Sequence, residues 1–370
     1  MVKILNVLYD DIPNPWLGGG GAIRALEIYK RFPSDYQVTI LTGYYPNALR
    51  RETIQNVQYR RLGLPWSYAL SRITFALSVP FHLLQNDYDI IIDDHSAFSP
   101  TFSFFYTKKP VIGSFQNLHS QKSAKGKGAC KGFFAEIFDF IALRNFKHYT
   151  AVSPNLVSII QKKAKHKKNI KFIGVGVHDS FFELKKPEKL ENGYLLFIGR
   201  IEIYQKGIDT LLKAYSKIKN PPKLIIAGNG IDFEEVKRIV ADQGIYGVEF
   251  FGRYTMQQEI ELLKNAICAI MPSRFEGFPM VPLEILASGT PFIGTSIPGT
   301  KDLVQENGLL VEKENSEQLS HAIEKLLMDK ALRNRLSLQG RSHAKNFTWD
   351  LISKEWLQNI NEVLSKEQRS

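Results

Sequence analysis

Short apolar runs alternate with amphipathic stretches along this chain, the pattern of parallel strands joined by crossover helices. In the first half the runs are Ile4–Tyr9, Gln37–Thr42, Asp89–Asp93, Pro110–Ser114, Tyr149–Val152 and Ile170–Val175. In the second half they are Tyr194–Ile198, Lys223–Ala227, Val248–Phe251, Ile267–Met271, Pro291–Gly294 and Leu309–Val311. Many are apolar at consecutive positions, as strands covered on both faces should be. Between them, Ala22, Ala25, Leu26, Tyr29 and Phe32 keep the spacing of one helical face, as do Ile208, Leu211, Leu212, Tyr215 and Ile218. A polar connection, Lys185 to Asn192, separates the two sets. The prediction is an α/β protein of two doubly wound, Rossmann-like domains, 1–185 and 186–346. A last helix at 347–370 is needed by neither sheet and is expected to pack back on the first domain. Ligands of such sheets sit at the carboxyl ends of the strands, so two facing domains predict a site in the cleft between them.

Length and composition agree with this organisation. A chain of 370 residues exceeds one ordinary core. With 44% hydrophobic and 23% charged residues it is an ordinary soluble globular chain. Cys130 and Cys268 show no metal or redox spacing and suit small core positions in a reducing cytoplasm. The apolar start, Met1 to Asp10, is too short for a signal peptide. The most apolar segment, Ile73 to Leu84, is too short to span a bilayer. A cytoplasmic protein is expected, or one resting on the inner face of the membrane.

Charge changes the picture at one place. The net +11 comes almost wholly from residues 101–180, where fourteen Lys and Arg face only Glu136, Asp139 and Asp179. Lys122, Lys125, Lys127 and Lys131 precede Phe133 and Phe134, and a second cluster runs from Lys162 to Lys168. Two readings stand: a solvated lysine-rich face, or a surface for anionic lipid or a diphosphate-linked acceptor. Nucleic acid is not the expected partner, because no RNA-binding aromatic motif or DNA-reading helix accompanies the charge.

Three loops after strands carry candidate chemistry. Gly18 to Gly21 precede a helix expected over Ala22–Phe32 and let backbone approach a phosphate, or simply form a flexible turn. Arg200 follows one strand and Lys206-Gly207 opens the next helix, so two cations straddle one loop. In Ser273 to Glu284, Pro279 and Pro282 forbid an unbroken helix, while Gly289 followed by Pro291 reads as its stop. Glu276 is therefore placed in a loop and Glu284 on a helix. Between them, amides of Gly277, Phe278, Met280 and Val281 are expected to face an anion. An acid beside an anion site suits a ligand with both hydroxyls and phosphates, such as a nucleotide sugar.

Together these stretches resemble the retaining glycosyltransferases of family 4, of the two-domain GT-B fold. The resemblance rests on Gly20 to Leu26, Phe197 to Ala214, Ser273 to Pro291, Asn307 to Val311 and Phe347 to Trp349. It implies that Arg200 and Lys206 bind the donor diphosphate, that Glu276 contacts the donor sugar and that Glu284 holds the ribose hydroxyls. Amides of Phe278, Met280 and Val281 would reach sugar and phosphates, with Gly20 or Gly21 completing the phosphate site. The family commonly places a histidine after the fourth strand. Here Gln116 stands at that position and His119 three residues on, so either takes the role. The family's inter-domain Asn is replaced by Val175, which leaves His178 a minor candidate.

The implied activity is transfer of a hexose from a UDP-, GDP- or ADP-sugar to a hydroxyl acceptor, a growing glycan or a lipid-linked one, in cell-envelope polysaccharide or glycolipid synthesis. No cofactor and no metal are expected, the cations standing in for the metal used elsewhere. The alternatives are a nucleotide-sugar epimerase of the same fold and a non-catalytic scaffold of a glycan-assembly complex.

Overall fold

A computed structural model describes residues 1–16, 19–85, 87–118, 129–165, 169–187 and 193–369. They form two units, Met1–Val175 with Trp349–Ser370, and Gly176–Thr348.

The first unit carries β1 (Val2–Val7), α1 (Gly20–Tyr29), β2 (Tyr36–Gly43), β3 (Arg51–Ile54), β4 (Val57–Leu62), α2 (Tyr68–Gln85) and β5 (Ile90–Asp94). It continues with β6 (Val111–Phe115), α3 (Ala129–Asn145), β7 (His148–Ala151), α4 (Pro154–Lys163) and β8 (Ile170–Phe172). The strand order is β3-β4-β2-β1-β5-β6-β7-β8, parallel except for β3. The β3–β4 hairpin falls outside the expected runs. Its turn, Gln55 and Asn56, has φ of 48° and 67°, the left-handed pair of a two-residue hairpin. Its strands escape a search for apolar runs because their inward positions include Arg61. That side chain is buried because its Nε bonds Asp11 Oδ2 at 2.6 Å. The charged outer strand also blunts the sheet edge.

The second unit carries β9 (Tyr194–Ile198), α5 (Ile203–Lys206), α6 (Ile208–Tyr215), β10 (Leu224–Ala227), α7 (Phe233–Asp242), β11 (Val248–Gly252) and α8 (Met256–Asn265). Then follow β12 (Ala266–Met271), α9 (Met280–Ser288), β13 (Phe292–Thr295), α10 (Pro298–Leu303), β14 (Leu309–Val311), α11 (Ser316–Met328) and α12 (Lys330–Ala344). Its all-parallel order is β11-β10-β9-β12-β13-β14. The core is closed by Phe197, Leu211, Ile226, Cys268, Ile293 and Leu319, all fully buried. The strand order reverses between β9 and β12, and a ligand crevice opens at such a switch point.

The chain changes unit after Val175, ten residues before the expected limit of 185. Side chains explain the shift. Arg341 Nη2 donates to the carbonyls of Phe182 and Leu184, and Lys186 Nζ donates to those of Leu263 and Ala266. Burial lowers the Lys186 ammonium to about 7. These bonds tie the connection to the second sheet. The final helix, α13 (Trp349–Glu367), belongs to the first unit. It buries Trp349, Ile352, Trp356 and Ile360, and Ser353 Oγ donates to the Ile28 carbonyl of α1 at 2.9 Å. Truncating Trp356 in this contact would cost roughly 3–5 kcal/mol.

Candidate active site

The second unit builds its site from the loops that follow β9 and β12. After β9 the chain runs through Gly199, at φ 136°, to Arg200 and the fully buried Ile201. The Ile201 amide donates to the Asn229 carbonyl at 3.0 Å. A Cβ on Gly228 would lie 1.8 Å from the Gly199 carbonyl oxygen, and one on Gly230 2.0 Å from that of Ile201. These two positions are glycine because the Arg200 loop lies directly on them. The Arg200 side chain itself is 61% exposed, its Nη1 3.5 Å from Glu202. One turn of α5 then delivers Lys206, whose side chain is buried.

The loop after β12 is held on several sides. Arg274 donates to the Ile203 carbonyl at 2.7 Å, to both carboxylate oxygens of Asp209 and to Glu314 at 2.7 Å. The Arg274 amide bonds the Gln205 carbonyl at 2.8 Å, and Thr295 Oγ1 donates to the Ser273 carbonyl. Gly299 of α10 comes so close that a Cβ there would stand 2.5 Å from the Gly277 carbonyl oxygen. Held in this way, Glu276 Oε1 accepts from Lys206 Nζ at 2.6 Å and from Ser273 Oγ at 2.7 Å. The two candidate groups from loops far apart in sequence thus meet at the switch point.

Next in the chain comes the start of α9. Pro279 is its N-cap and no side chain caps it, and Gly289 ends it at φ 74°. A helix leaves its first N–H groups without internal partners, so Met280 and Val281 present theirs at this end. Pro282, in the same turn, has none to present. Phe278, beside the cap, is buried with its ring 5.7 Å from Phe347.

Glu284, one turn further on, does not join the Lys206–Glu276 pair. Its carboxyl hydrogen bonds to that of Glu259 on α8, so one of the two holds a proton. Burial raises Glu284 to about 7. Burial raises Glu259 well above the usual carboxylate range, with the Glu284 charge adding to it. Burial and both carboxylates push the Tyr254 phenol up in turn. Sequence reasoning missed Glu259. The signal was there: it shares the buried face of α8 with Leu262 and Leu263, three and four positions on.

In the first unit, α1 starts at Gly20, two residues before the expected Ala22, and Gly19 precedes it as N-cap. A Cβ on Gly21 would lie 3.2 Å from Asp10 Oδ2 and 3.3 Å from Gln116 Nε2. Gln116 Nε2 donates to Asp94 Oδ1 at 3.3 Å. Asp94 also accepts from Asn6 Nδ2 and Ser114 Oγ, each at 2.7 Å, and lies 3.6 Å from the buried Arg24. Gly21 and Gln116 therefore gather at the β1–β5 switch point, around Asp94. His119 lies outside the described residues. His178 caps the short turn 179–181, its Nδ1 accepting from the Ser180 amide at 3.3 Å, which is a structural task.

With this geometry in place, comparison with known proteins is informative. Residues 179–343 match the family "Glycosyl transferases group 1", and residues 18–181 match "Glycosyltransferase Family 4". An uncharacterized glycosyltransferase of Methanocaldococcus jannaschii is 25% identical over 354 residues, 94% of this chain and 95% of that protein. The capsular polysaccharide biosynthesis glycosyltransferase CapM of Staphylococcus aureus is 26% identical over 291 residues, 72% of this chain and 74% of its own. Among solved structures, sucrose-phosphate synthase from Thermosynechococcus elongatus superposes with a TM-score of 0.82 at 18% identity, covering 99% of this chain and 100% of the other. Anabaena HepE in complex with UDP-glucose gives 0.77 at 15% identity, with 98% and 100% covered.

Proposed function

Since the chain belongs to the group 1 glycosyltransferases and has their GT-B fold, we propose that it transfers a hexose from a nucleoside diphosphate sugar to a hydroxyl acceptor, retaining the anomeric configuration. The observation that supports this most is the meeting of Lys206 and Glu276 beside the uncapped start of α9. That corner offers a cation and two backbone donors for a diphosphate, and a carboxylate for sugar hydroxyls.

In this reading the bond from the anomeric carbon to the diphosphate oxygen breaks, and its electron pair stays on the departing phosphate. Lys206 turns from Glu276 to that phosphate, joined by Arg200 and by the amides of Met280 and Val281. Gly277 and Phe278 supply further backbone contact, and Glu284 accepts from ribose hydroxyls. Support for Gly20 and Gly21 as phosphate contacts, and for Gln116 or His119 near the sugar, comes from the family resemblance alone. The acceptor oxygen attacks from the face the diphosphate leaves, and its proton passes to a phosphate oxygen. Glu276 orients the sugar rather than attacking it, its Oε1 remaining bonded to Ser273 Oγ after Lys206 has turned away. The positive groups do the work of a divalent metal, which makes the reaction metal-independent. The name of CapM supports a glycan acceptor in cell-envelope synthesis, and the basic stretch 101–180 supports one carried on lipid.

The test is nucleotide release from UDP-, GDP- and ADP-hexoses, with and without glycan and lipid extracts, followed by NMR of the product anomer. Acceptor-dependent release with retained configuration is expected. Interconversion of the donor without acceptor would point to an epimerase, and no affinity for any nucleotide sugar would point to a scaffold.

A further inference from the structure

In the first unit, α2 buries Ser71, Phe75, Val79 and Leu83, one residue per turn. Its opposite face turns Ile73, Leu77, Phe81 and Leu84 outward, the last 72% exposed, and Trp66 just before the helix is 74% exposed. A solvent-facing helix side is ordinarily charged. This one carries neither acid nor base. The helix has no acidic residue, and its one arginine, Arg72, donates to Tyr68, Ser96 and Ser99 instead.

The apolar surface continues beyond α2. That helix packs on the turn Ser103–Phe105, where Phe105 is exposed. Ring contacts then run from Phe105 to Phe102 (6.2 Å), to Phe138 (5.9 Å), to Phe134 (6.3 Å) and to Phe133 (5.9 Å). Phe133, Phe134 and Phe140 of α3 are each more than half exposed. Contiguous exposed apolar area of this kind marks an interaction site.

Cations border it. Lys108 and Lys109 follow the Phe105 turn, Lys109 Nζ standing 3.1 Å from the exposed Asp87, and Arg144 lies over Phe140 at 5.1 Å. Burial lowers the His82 imidazole of α2 to about 4, and Arg60 and Arg51 stand near enough to add to it. Such a rim selects among occupants. A second copy of the chain, docking face to face, would set these cations against each other. A bilayer with anionic headgroups offers both apolar depth and the opposite charge.

We propose that this face of the first unit docks on an anionic lipid bilayer, with the α2 stripe and the α3 phenylalanines entering the acyl boundary and the bordering Lys and Arg meeting headgroup phosphates. The protein would lie on the membrane, since among the described residues no helix is long and apolar enough to cross one. The inference rests on the glycosyl-transfer reading for its purpose, which is to bring the enzyme to a lipid-linked acceptor.

The test is flotation of the full chain with phosphatidylcholine vesicles, with and without phosphatidylglycerol, alongside light scattering and donor turnover on a water-soluble acceptor. Wild type should float with phosphatidylglycerol vesicles, and less so in high salt. Leu77→Glu with Phe81→Glu should weaken binding about a hundredfold, with melting and turnover unchanged. Lys108→Glu with Lys109→Glu should weaken it about tenfold. No flotation of wild type, or equal flotation of wild type and the Leu77/Phe81 variant, overturns the proposal. So does a wild-type dimer that the Leu77/Phe81 variant splits while neither floats. Flotation without turnover would remove the enzymatic reading and leave the docking surface standing; turnover without flotation would do the reverse.

Discussion

Lys206 and Glu276 lie 70 residues apart in sequence and form an ion pair of 2.6 Å, with side chains only 10% and 9% exposed. Each is the compensation for burying the other, so removing one partner costs more than the pair contributes. Lys206→Ala leaves Glu276 with Ser273 as its remaining bonded partner here and should destabilise the second unit by about 3 kcal/mol. Turnover should fall by roughly 10²–10³. The double change Lys206→Ala with Glu276→Ala should recover part of the stability, by about 1–3 kcal/mol of coupling. Thermal melts of both singles and the double check this; strictly additive losses would count against the pair.

Arg200 separates chemistry from stability. With its side chain 61% exposed and only a 3.5 Å approach to Glu202, it contributes little to the fold. Arg200→Ala should shift stability by no more than about 0.5 kcal/mol. If it holds the departing diphosphate, turnover should nonetheless drop by about 10² or more. Wild-type turnover in this variant would remove the diphosphate assignment.

What the sequence made legible follows from how each feature is encoded. The inner strands of the second sheet, β10, β9, β12 and β13, were readable because both of their faces are covered, so burial writes itself as consecutive apolar residues such as Leu195, Leu196 and Phe197. The edge strand β11 instead alternates half-buried and exposed positions and shows only through Val248, Phe250 and Phe251. The β3–β4 hairpin was not, because an edge strand is charged and Arg61 is buried by pairing, not by apolarity. Glycine and proline signalled the α9 boundaries correctly, since Gly289 does take the left-handed conformation that ends the helix. Polar partnerships left weaker marks. Nothing local to Glu284 reveals Glu259, and nothing near Gln116 reveals that Asp94 is its partner, because both contacts are made by the fold.

The Glu259–Glu284 pair predicts a pH dependence with a definite sign. Both carboxyls are raised above their unfolded range, Glu284 to about 7. The stability they contribute is fully present below the unfolded value of about 4.3 and is lost as pH rises through about 7. Lys186, lowered to about 7 by burial, acts in the opposite direction as pH rises further. The informative quantity is therefore the difference between wild type and Glu259→Gln, which keeps a hydrogen bond and removes the shared proton. That difference should grow in favour of the variant from pH 5 to pH 8, by about 1–3 kcal/mol. Denaturant melts across this range would show it, and a pH-independent difference would mean the two carboxyls do not share a proton.

Two glycines of the second unit allow the site's framework to be tested against backbone strain alone. Gly207 and Gly244 have φ of 66° and 59°, so alanine is strained at either by about 1–2 kcal/mol. Their surroundings differ. A Cβ on Gly244 meets nothing within 4 Å, whereas one on Gly207 would stand 2.1 Å from the Pro272 carbonyl oxygen. That oxygen is backbone and cannot turn aside. Gly207→Ala must therefore push the α5–α6 junction off the β12 loop, parting Lys206 from Glu276. Gly244→Ala should cost about 1 kcal/mol and leave turnover unchanged. Gly207→Ala should cost several times more, on the order of 3 kcal/mol or above, and lose turnover at temperatures where the variant is still folded. Equal stability and equal turnover in the two variants would show that the close approach at Pro272 does not position the site.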